Sequence, residues 1–231
     1  MSLRTIRLAA LTLGALGVVL TLVFHWQVFF WVSTEATLGI VQRIFYIHVP
    51  SAWVAFFAFG IVALCSAGYL WLGEEKLDQA ARSAAEGGML FTTIVLVTGP
   101  LWARISWGTW WTWEMRLTLT LLLWFIYLGY FLVRNATDSP ERGKRFAAVL
   151  GIVGAFNIPL IHLSVVWFRS LHPEPVVLQT EGAPQLPGDM LTTLMLALVA
   201  FTFLFLSLFL LRYGVAQLEA RAEQAAPTPT I

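Results

Sequence analysis

Charged residues and cysteine are both scarce in this sequence. Charged side chains make up only 12% of the 231 residues, against about a quarter in an ordinary soluble domain. Hydrophobic residues make up 58%, which excludes a typical water-soluble globule and indicates a polytopic membrane protein. The formal net charge of +1 gives no basic surface for nucleic acid. The single cysteine, Cys65, excludes a disulfide framework, a thiolate metal site and a C-x-x-C-H motif.

Long apolar runs are the main positive feature. A helix needs about 20 apolar residues to cross the hydrocarbon core of a bilayer. Six runs of suitable length occur, at residues 8–24, 52–72, 87–103, 117–133, 146–168 and 190–211. We therefore predict an all-α fold, a membrane bundle of six transmembrane helices. The third run is the weakest because it contains Pro100 and ends at Arg104, but neighbouring helices can satisfy the carbonyl that a proline frees.

The chain shows no internal repeat and no second domain. Arg4 and Arg7 precede the first run as in a signal peptide, but no small-x-small cleavage site follows it, so we expect an uncleaved first helix. We predict a single membrane domain over residues 1–231, with a tryptophan-rich loop at about 102–116. A short tail at about 222–231 is expected to be disordered.

The distribution of lysine and arginine predicts the orientation. One set of connecting segments carries ten of these residues: Arg4, Arg7, Lys76, Arg82, Arg134, Arg142, Lys144, Arg145, Arg212 and Arg221. The opposite set carries four: Arg43, Arg104, Arg116 and Arg169. Because positive residues are enriched in cytoplasmic loops, we predict that both termini are cytoplasmic. All four histidines and nine of the eleven tryptophans then lie on or near the outer side, with His48 just before the second helix.

Tryptophan is concentrated in one short segment. Five of the eleven tryptophans lie between Trp102 and Trp113. If this segment is drawn as a helix, one face holds the residues at positions i, i+3, i+4 and i+7, which are Trp107, Trp110, Trp111 and Glu114. An aromatic belt at the headgroup level explains isolated tryptophans, but it requires neither this density nor a carboxylate. We favour a surface for a large, planar, anionic ligand, and the aromatic belt remains the alternative.

Charged and imidazole side chains surround this segment. The four outer arginines have two open interpretations, pairing with acidic groups of the ligand or snorkelling to the membrane surface; they are Arg43, Arg104, Arg116 and Arg169. A single histidine near a membrane is usually a packing residue. Two histidines brought to the same face as the tryptophans indicate haem more strongly, because neutral imidazole is a standard axial ligand of haem iron.

Three stretches resemble a known family. The string WGTWWTWEMRLT at residues 107–118 resembles the tryptophan-rich signature of membrane haem-handling proteins. The string YIHVPSAW at residues 46–53 resembles the entry to the second helix of the cytochrome c maturation protein C family, also called haem exporter protein C. Residues 161–167 and 171–173 resemble the third outer loop of that family. The likeness covers nearly the whole chain.

The resemblance implies a haem-handling protein of the bacterial cytoplasmic (inner) membrane, an assembly factor rather than a conventional enzyme. It implies a b-type, non-covalent haem held at the outer face with His48 and His172 as axial iron ligands. Together with the aromatic and cationic surface described above, the predicted haem-binding residues also include Trp102, Arg104, Trp107, Trp110, Trp111, Trp113, Glu114 and Arg116. His25 and His162 match no ligand position. Glu114 departs from the family signature, which usually has aspartate there.

The resemblance also implies partners. The haem would be presented to a membrane-anchored haem chaperone, maturation protein E, for covalent loading. An ABC transporter formed by maturation proteins A and B would release the loaded chaperone, and the small maturation protein D is a further candidate partner. The lipid bilayer surrounds the protein, and no nucleic-acid partner is expected.

Two other functions compete with this interpretation. A b-type haem electron carrier needs histidines that face each other deep inside the helix bundle, whereas His48 and His172 lie at or beyond the predicted interface. A haem transporter usually has ionisable residues within its spans, and here His162 is nearly the only one. Haem presentation therefore fits the sequence better than either alternative.

Overall fold

Six long helices form the fold in the computed structural model, which describes residues 2–168, 170–172 and 186–225. They are α1 Leu3–Phe30, α2 Phe45–Leu72, α3 Glu75–Ser106, α4 Met115–Asn135, α5 Pro140–Trp167 and α6 Gly188–Ala225. A 3₁₀-helix, Ile40–Ile44, leads into α2. The described residues contain no strand, and all six helices are long and apolar enough to cross a membrane. The predicted all-α, six-span fold is confirmed, and the chain is a multi-pass membrane protein.

The helices pack around α2, which has antiparallel neighbours in α3 and α5 and a parallel one in α6. Helix α2 contacts α3, α5 and α6, while α1 packs on α6 and α4 on α5. Because successive helices alternate in direction, α1, α3 and α5 end where α2, α4 and α6 begin. We call this the tryptophan end, since the tryptophan-rich segment connects α3 to α4 there. The opposite end, where α1 begins and α6 ends, is the termini end.

Close helix contacts depend on small residues facing aromatic ones. A Cβ atom on Gly88 would lie 2.5 Å from the ring of Phe59, and one on Gly87 would lie 2.7 Å from Phe205. Phe59 in turn stacks on Tyr127 with ring centroids 3.7 Å apart. Such contacts are the usual basis of helix association in membranes, where apolar burial from water contributes little. They hold α2, α3, α4 and α6 together at the middle of the bundle.

Ion pairs tie α3 to three other helices near the termini end. The pairs are Glu75 with Lys144 of α5, Asp78 with Arg134 of α4, and Glu86 with Arg212 of α6. The pair of Asp78 and Arg134 is the most buried, with side chains 4% and 10% exposed. It is bidentate, with Nη1–Oδ1 and Nη2–Oδ2 distances of 2.9 and 2.5 Å. This geometry is the strongest available to an arginine and a carboxylate.

Helix α3 passes through its proline, so the weakest predicted span is a helix. It runs without a break through Gly99 and Pro100 to Ser106. A Cβ on the residue before proline disfavours the helical conformation, and Gly99 has none. Helix α6 reaches Ala225, four residues into the range expected to form the tail, and residues 226–231 lie outside the described residues.

Candidate functional site

The tryptophan-rich segment is an irregular connection rather than a helix. Helix α3 ends at Ser106, Trp107 is its C-cap and α4 begins at Met115. Gly108 has φ of 75°, a left-handed conformation that ends helices at low cost only for glycine. The Arg104 guanidinium donates a hydrogen bond to the Gly108 carbonyl and secures this ending. The prediction that Trp107, Trp110, Trp111 and Glu114 share one helical face is therefore wrong.

The tryptophan rings form two perpendicular pairs rather than one flat platform. Trp102 and Trp107 meet edge to face with centroids 5.2 Å apart, and Trp111 and Trp113 do so at 5.8 Å. Trp110 and Trp113 are 56% and 76% exposed, while the other three are half-buried. The Arg104 guanidinium lies 6.0 Å from the ring centroid of Trp110. The segment thus offers both an exposed aromatic surface and half-buried rings.

His48 lies in the first turn of α2, not before the helix, because α2 begins at Phe45. Its Nδ1 is 2.8 Å from the Thr98 hydroxyl of α3. A Cβ on Gly99 would lie 3.3 Å from the imidazole Cε1, so the absent side chain lets the ring lie close against α3. Thr98 and Gly99 therefore fix the position of His48, and no sequence motif indicated either residue.

His172 lies in the connection after α5, and Arg116 contacts it. The Arg116 Nη1 is 3.3 Å from the His172 Nδ1, and the backbone N–H of His172 donates to the Ser170 hydroxyl at 3.0 Å. Arg116, in the first turn of α4, therefore contacts His172 directly, and it also lies in the neighbourhood of His48.

Glu114 binds the connection that carries His172. Its Oε2 accepts hydrogen bonds from the Ser170 hydroxyl at 2.8 Å and from the Leu171 backbone N–H at 2.9 Å. Residues 114 and 170 are far apart in sequence, so no local pattern could have indicated this contact. The carboxylate thus ties the tryptophan-rich segment to the start of the connection between α5 and α6.

Buried polar atoms without a hydrogen-bond partner are concentrated here. Nine such side-chain atoms occur in the described part of the chain, and four of them belong to Ser106, Trp111, Thr112 and Glu114. Each unmade hydrogen bond of a buried group costs about 1–3 kcal/mol. The indole N–H of Trp111 and the two hydroxyls can all donate. These donors, beside aromatic rings and two histidines, fit a planar ligand with carboxylates such as haem.

The other two histidines lie elsewhere on the bundle. The Nδ1 of His25 is 2.7 Å from the carbonyl of Thr21 in its own helix, to which it donates. His162 lies on the exposed face of α5. Neither belongs to the group formed by His48, Arg116 and His172.

Sequence comparisons identify the family. The chain matches the Heme exporter protein C family over residues 2–227. Heme exporter protein C of Bradyrhizobium diazoefficiens is 42% identical over 172 residues, which are 74% of this chain and 65% of that protein. The Haemophilus influenzae protein of the same name is 34% identical over 182 residues, 79% of this chain and 74% of that protein.

Heme exporter protein C of Escherichia coli K12 is 38% identical over 157 residues, which are 67% of this chain and 63% of that protein. The matched regions therefore span just under two thirds of the Bradyrhizobium and Escherichia proteins. The family match covers almost all of this chain, including His48, the tryptophan-rich segment and His172. The chain belongs to the Heme exporter protein C family.

Proposed function

We propose that this protein binds haem at the tryptophan end and presents it to a membrane-anchored haem chaperone during cytochrome c biogenesis. The observation that carries the proposal is the group formed by His48, Arg116 and His172 beside the tryptophan-rich segment, in which Thr98 holds His48 and Arg116 contacts His172. The fold brings these three residues together although more than 50 positions separate each of them from the next in the sequence. Family membership gives this group its chemical context.

Haem iron supplies two axial positions that neutral imidazoles fill. His48 and His172 are the proposed ligands, on a b-type haem bound without a covalent link. Tryptophan rings cover part of the apolar macrocycle, and Trp110 and Trp113 are the exposed ones. Trp111, together with the hydroxyls of Ser106 and Thr112, is available to donate hydrogen bonds to the propionates.

Several features favour presentation over electron transfer within the membrane. His172 follows the end of α5 instead of lying inside a helix, and Leu171 beside it is exposed. Trp110 and Trp113 are also open to a docking protein. A haem held by these residues is accessible from the end of the bundle, as delivery to a chaperone requires. The proposed partners are the chaperone, maturation protein E, and the A, B and D maturation proteins.

The proposed location is the bacterial inner membrane, with the tryptophan end facing the periplasm and both termini cytoplasmic. The excess of lysine and arginine near the termini end supports this orientation. A periplasmic reporter fused after Arg116 should be active, and the same reporter fused after Asp78 should be silent. The reverse pattern would refute the orientation.

Absorption spectroscopy of the purified haem complex tests the proposed site. We expect a six-coordinate, low-spin spectrum in the natural protein. His48→Ala and His172→Ala should each give a high-spin species, restored by added imidazole, and each should fail to load the chaperone. His25→Ala, whose ring is bonded within its own helix, is the matched control and should retain the low-spin spectrum. A low-spin spectrum that survives both ligand substitutions would refute the proposal.

A further inference from the structure

The hydrogen bonds of Thr98 determine which nitrogen of His48 carries the proton. A threonine hydroxyl has one hydrogen to donate and lone pairs to accept. Its Oγ1 lies 2.7 Å from the carbonyl of Ile94, which can only accept, so the hydrogen is directed there. His48 Nδ1 lies 2.8 Å from the same oxygen and must therefore donate to it.

The same helix contains a second threonine with the same bonding pattern. Thr93 donates its hydroxyl hydrogen to the carbonyl of Met89 at 2.8 Å and accepts from the Trp124 Nε1 at 3.0 Å. An indole nitrogen can only donate, so the direction of this bond is certain. The Thr93 and Trp124 pair thus repeats, without ambiguity, the arrangement inferred for Thr98 and His48.

This bonding prepares His48 to bind iron. A neutral imidazole has one N–H, and here it is on Nδ1, which leaves the lone pair of Nε2 available. Metal-bound histidines almost always donate their other N–H to a fixed oxygen, which orients the ring and selects the tautomer. Thr98 supplies that oxygen before any ligand is bound.

His172 is held in the opposite tautomer. A guanidinium has donors and no acceptor, so the 3.3 Å contact requires the Nδ1 of His172 to accept from Arg116. The neutral ring then carries its proton on Nε2. Binding iron through Nε2 requires that proton to leave to water and another to be taken up from water at Nδ1, with no change in net charge. Arg116 must withdraw from Nδ1 for this exchange to occur.

We propose that the two histidines act in a fixed order, with His48 binding the haem iron first and His172 second. Thr98 is a positioning residue that holds His48 in the competent tautomer. Arg116 is a positioning residue that withholds His172 until its guanidinium leaves Nδ1. This order rests on the proposed function, because it assumes that both imidazoles ligate iron.

A measurement on the haem-free protein tests the tautomers directly. Nitrogen NMR of the ¹⁵N-histidine-labelled protein distinguishes protonated from bare ring nitrogens, and His48→Ala and His172→Ala assign the two rings. We expect Nδ1 to be protonated in His48 and Nε2 in His172. The same tautomer in both rings would overturn the proposal. Because no haem is present, this result is independent of whether the protein binds haem.

Rapid mixing of haem with the protein tests the order. We expect a high-spin phase followed by a low-spin phase. Thr98→Val removes the acceptor at similar volume. It should lower the haem affinity measured in the first phase about 10–100-fold, as loss of such a partner typically does. Thr98→Ser should restore it. Arg116→Met should make the low-spin phase faster, because the guanidinium no longer occupies the Nδ1 of His172.

Thr93→Val is the matched control, since it removes an equivalent hydroxyl from the same helix. It should leave both phases unchanged. The order is refuted if Thr98→Val binds haem like the natural protein, or if Arg116→Met slows formation of the low-spin species. Loss of low-spin haem in His48→Ala, together with an unchanged Thr98→Val, would refute the positioning role and leave the proposed function standing.

Discussion

The contact of Glu114 with the connection after α5 gives a prediction of measurable size. Glu114→Ala removes two hydrogen bonds to a carboxylate, one from the Ser170 hydroxyl and one from the Leu171 N–H. Leu171 is exposed, so water competes, and each bond contributes about 1 kcal/mol instead of the larger value of a buried charged bond. Together they contribute about 2 kcal/mol, or about 30-fold in the opening equilibrium of this connection. This is an upper figure, because the substitution also removes the unpartnered Oε1.

Amide hydrogen exchange of the haem-free protein measures this opening. We expect exchange at Leu171 to become faster in Glu114→Ala by up to about 30-fold, the factor by which local opening becomes more frequent. The haem affinity of Glu114→Ala should also fall, because His172 follows Leu171 directly and shares its local opening. Glu35→Ala is the matched control. Glu35 also accepts two backbone N–H bonds, from Thr37 and Leu38, but in the connection between α1 and α2.

Unchanged exchange at Leu171 in Glu114→Ala, or an equal increase there in Glu35→Ala, would refute the reasoning. Glu114→Asp refines it. The family signature that this sequence resembles usually has aspartate at this position, so the sequence alone suggests that Glu114→Asp is neutral. In the structure the extra methylene lets one oxygen reach both Ser170 and Leu171. We therefore expect exchange in Glu114→Asp between that of the natural protein and that of Glu114→Ala.

Three further substitutions test the packing, the ion pairs and the unpartnered donors. Gly99→Ala should lower the low-spin fraction of the haem spectrum, because its Cβ would lie 3.3 Å from the His48 ring; an unchanged spectrum would contradict this. In micelles, denaturant titration of Asp78→Asn should show a loss of about 3–5 kcal/mol, because a buried guanidinium is left unpaired. Glu75→Gln, at a residue 50% exposed, should cost less than about 1 kcal/mol, and equal losses would argue against this role of burial. Trp111→Phe should weaken haem binding about fivefold, the value of one hydrogen bond of about 1 kcal/mol, and should weaken binding of haem dimethyl ester less, because its neutral ester carbonyls are weaker acceptors than carboxylates; equal weakening of both would count against propionate binding.

The six spans were predictable because hydropathy is a property of each residue alone. The ends of the helices were less predictable, since α2 begins seven residues before the predicted run 52–72. Its first turns hold polar and aromatic residues, among them Tyr46 and His48, which lower the hydropathy of the window without breaking the helix. His48 consequently lies inside the helix, where its neighbours on α3 can fix its ring.

The tryptophan-rich segment shows where periodicity misleads. The spacing of Trp107, Trp110, Trp111 and Glu114 fits a helix, yet one residue in the left-handed conformation, Gly108, ends α3 before the pattern begins. A single glycine changes the average hydropathy or periodicity of a sequence window very little. Its left-handed backbone conformation nevertheless ends the helix. The residue types of the site were foreseeable, but their arrangement was not.

The hydrogen-bond partners of the site residues could not be predicted from the sequence for a different reason. Thr98 is 50 residues from His48, and Ser170 is 56 residues from Glu114. A single sequence gives neighbours along one helix or strand, whereas one of these contacts joins two helices and the other joins two connections between helices. Only the packing of α2 on α3 and the course of the chain after α5 bring them together.

The two ends of the bundle differ in how densely they hold buried polar atoms without a partner. Near the termini end, the buried carboxylate of Asp78 is matched by a bidentate guanidinium, although the Oε1 of the neighbouring Gln79 has no partner. At the tryptophan end, one nine-residue stretch, 106–114, holds four buried polar atoms with no partner among the described residues. Native proteins leave few such groups unpaired, and they break this rule mainly at functional sites. The uncompensated donors thus point to a ligand at the end of the bundle where His48 and His172 also lie.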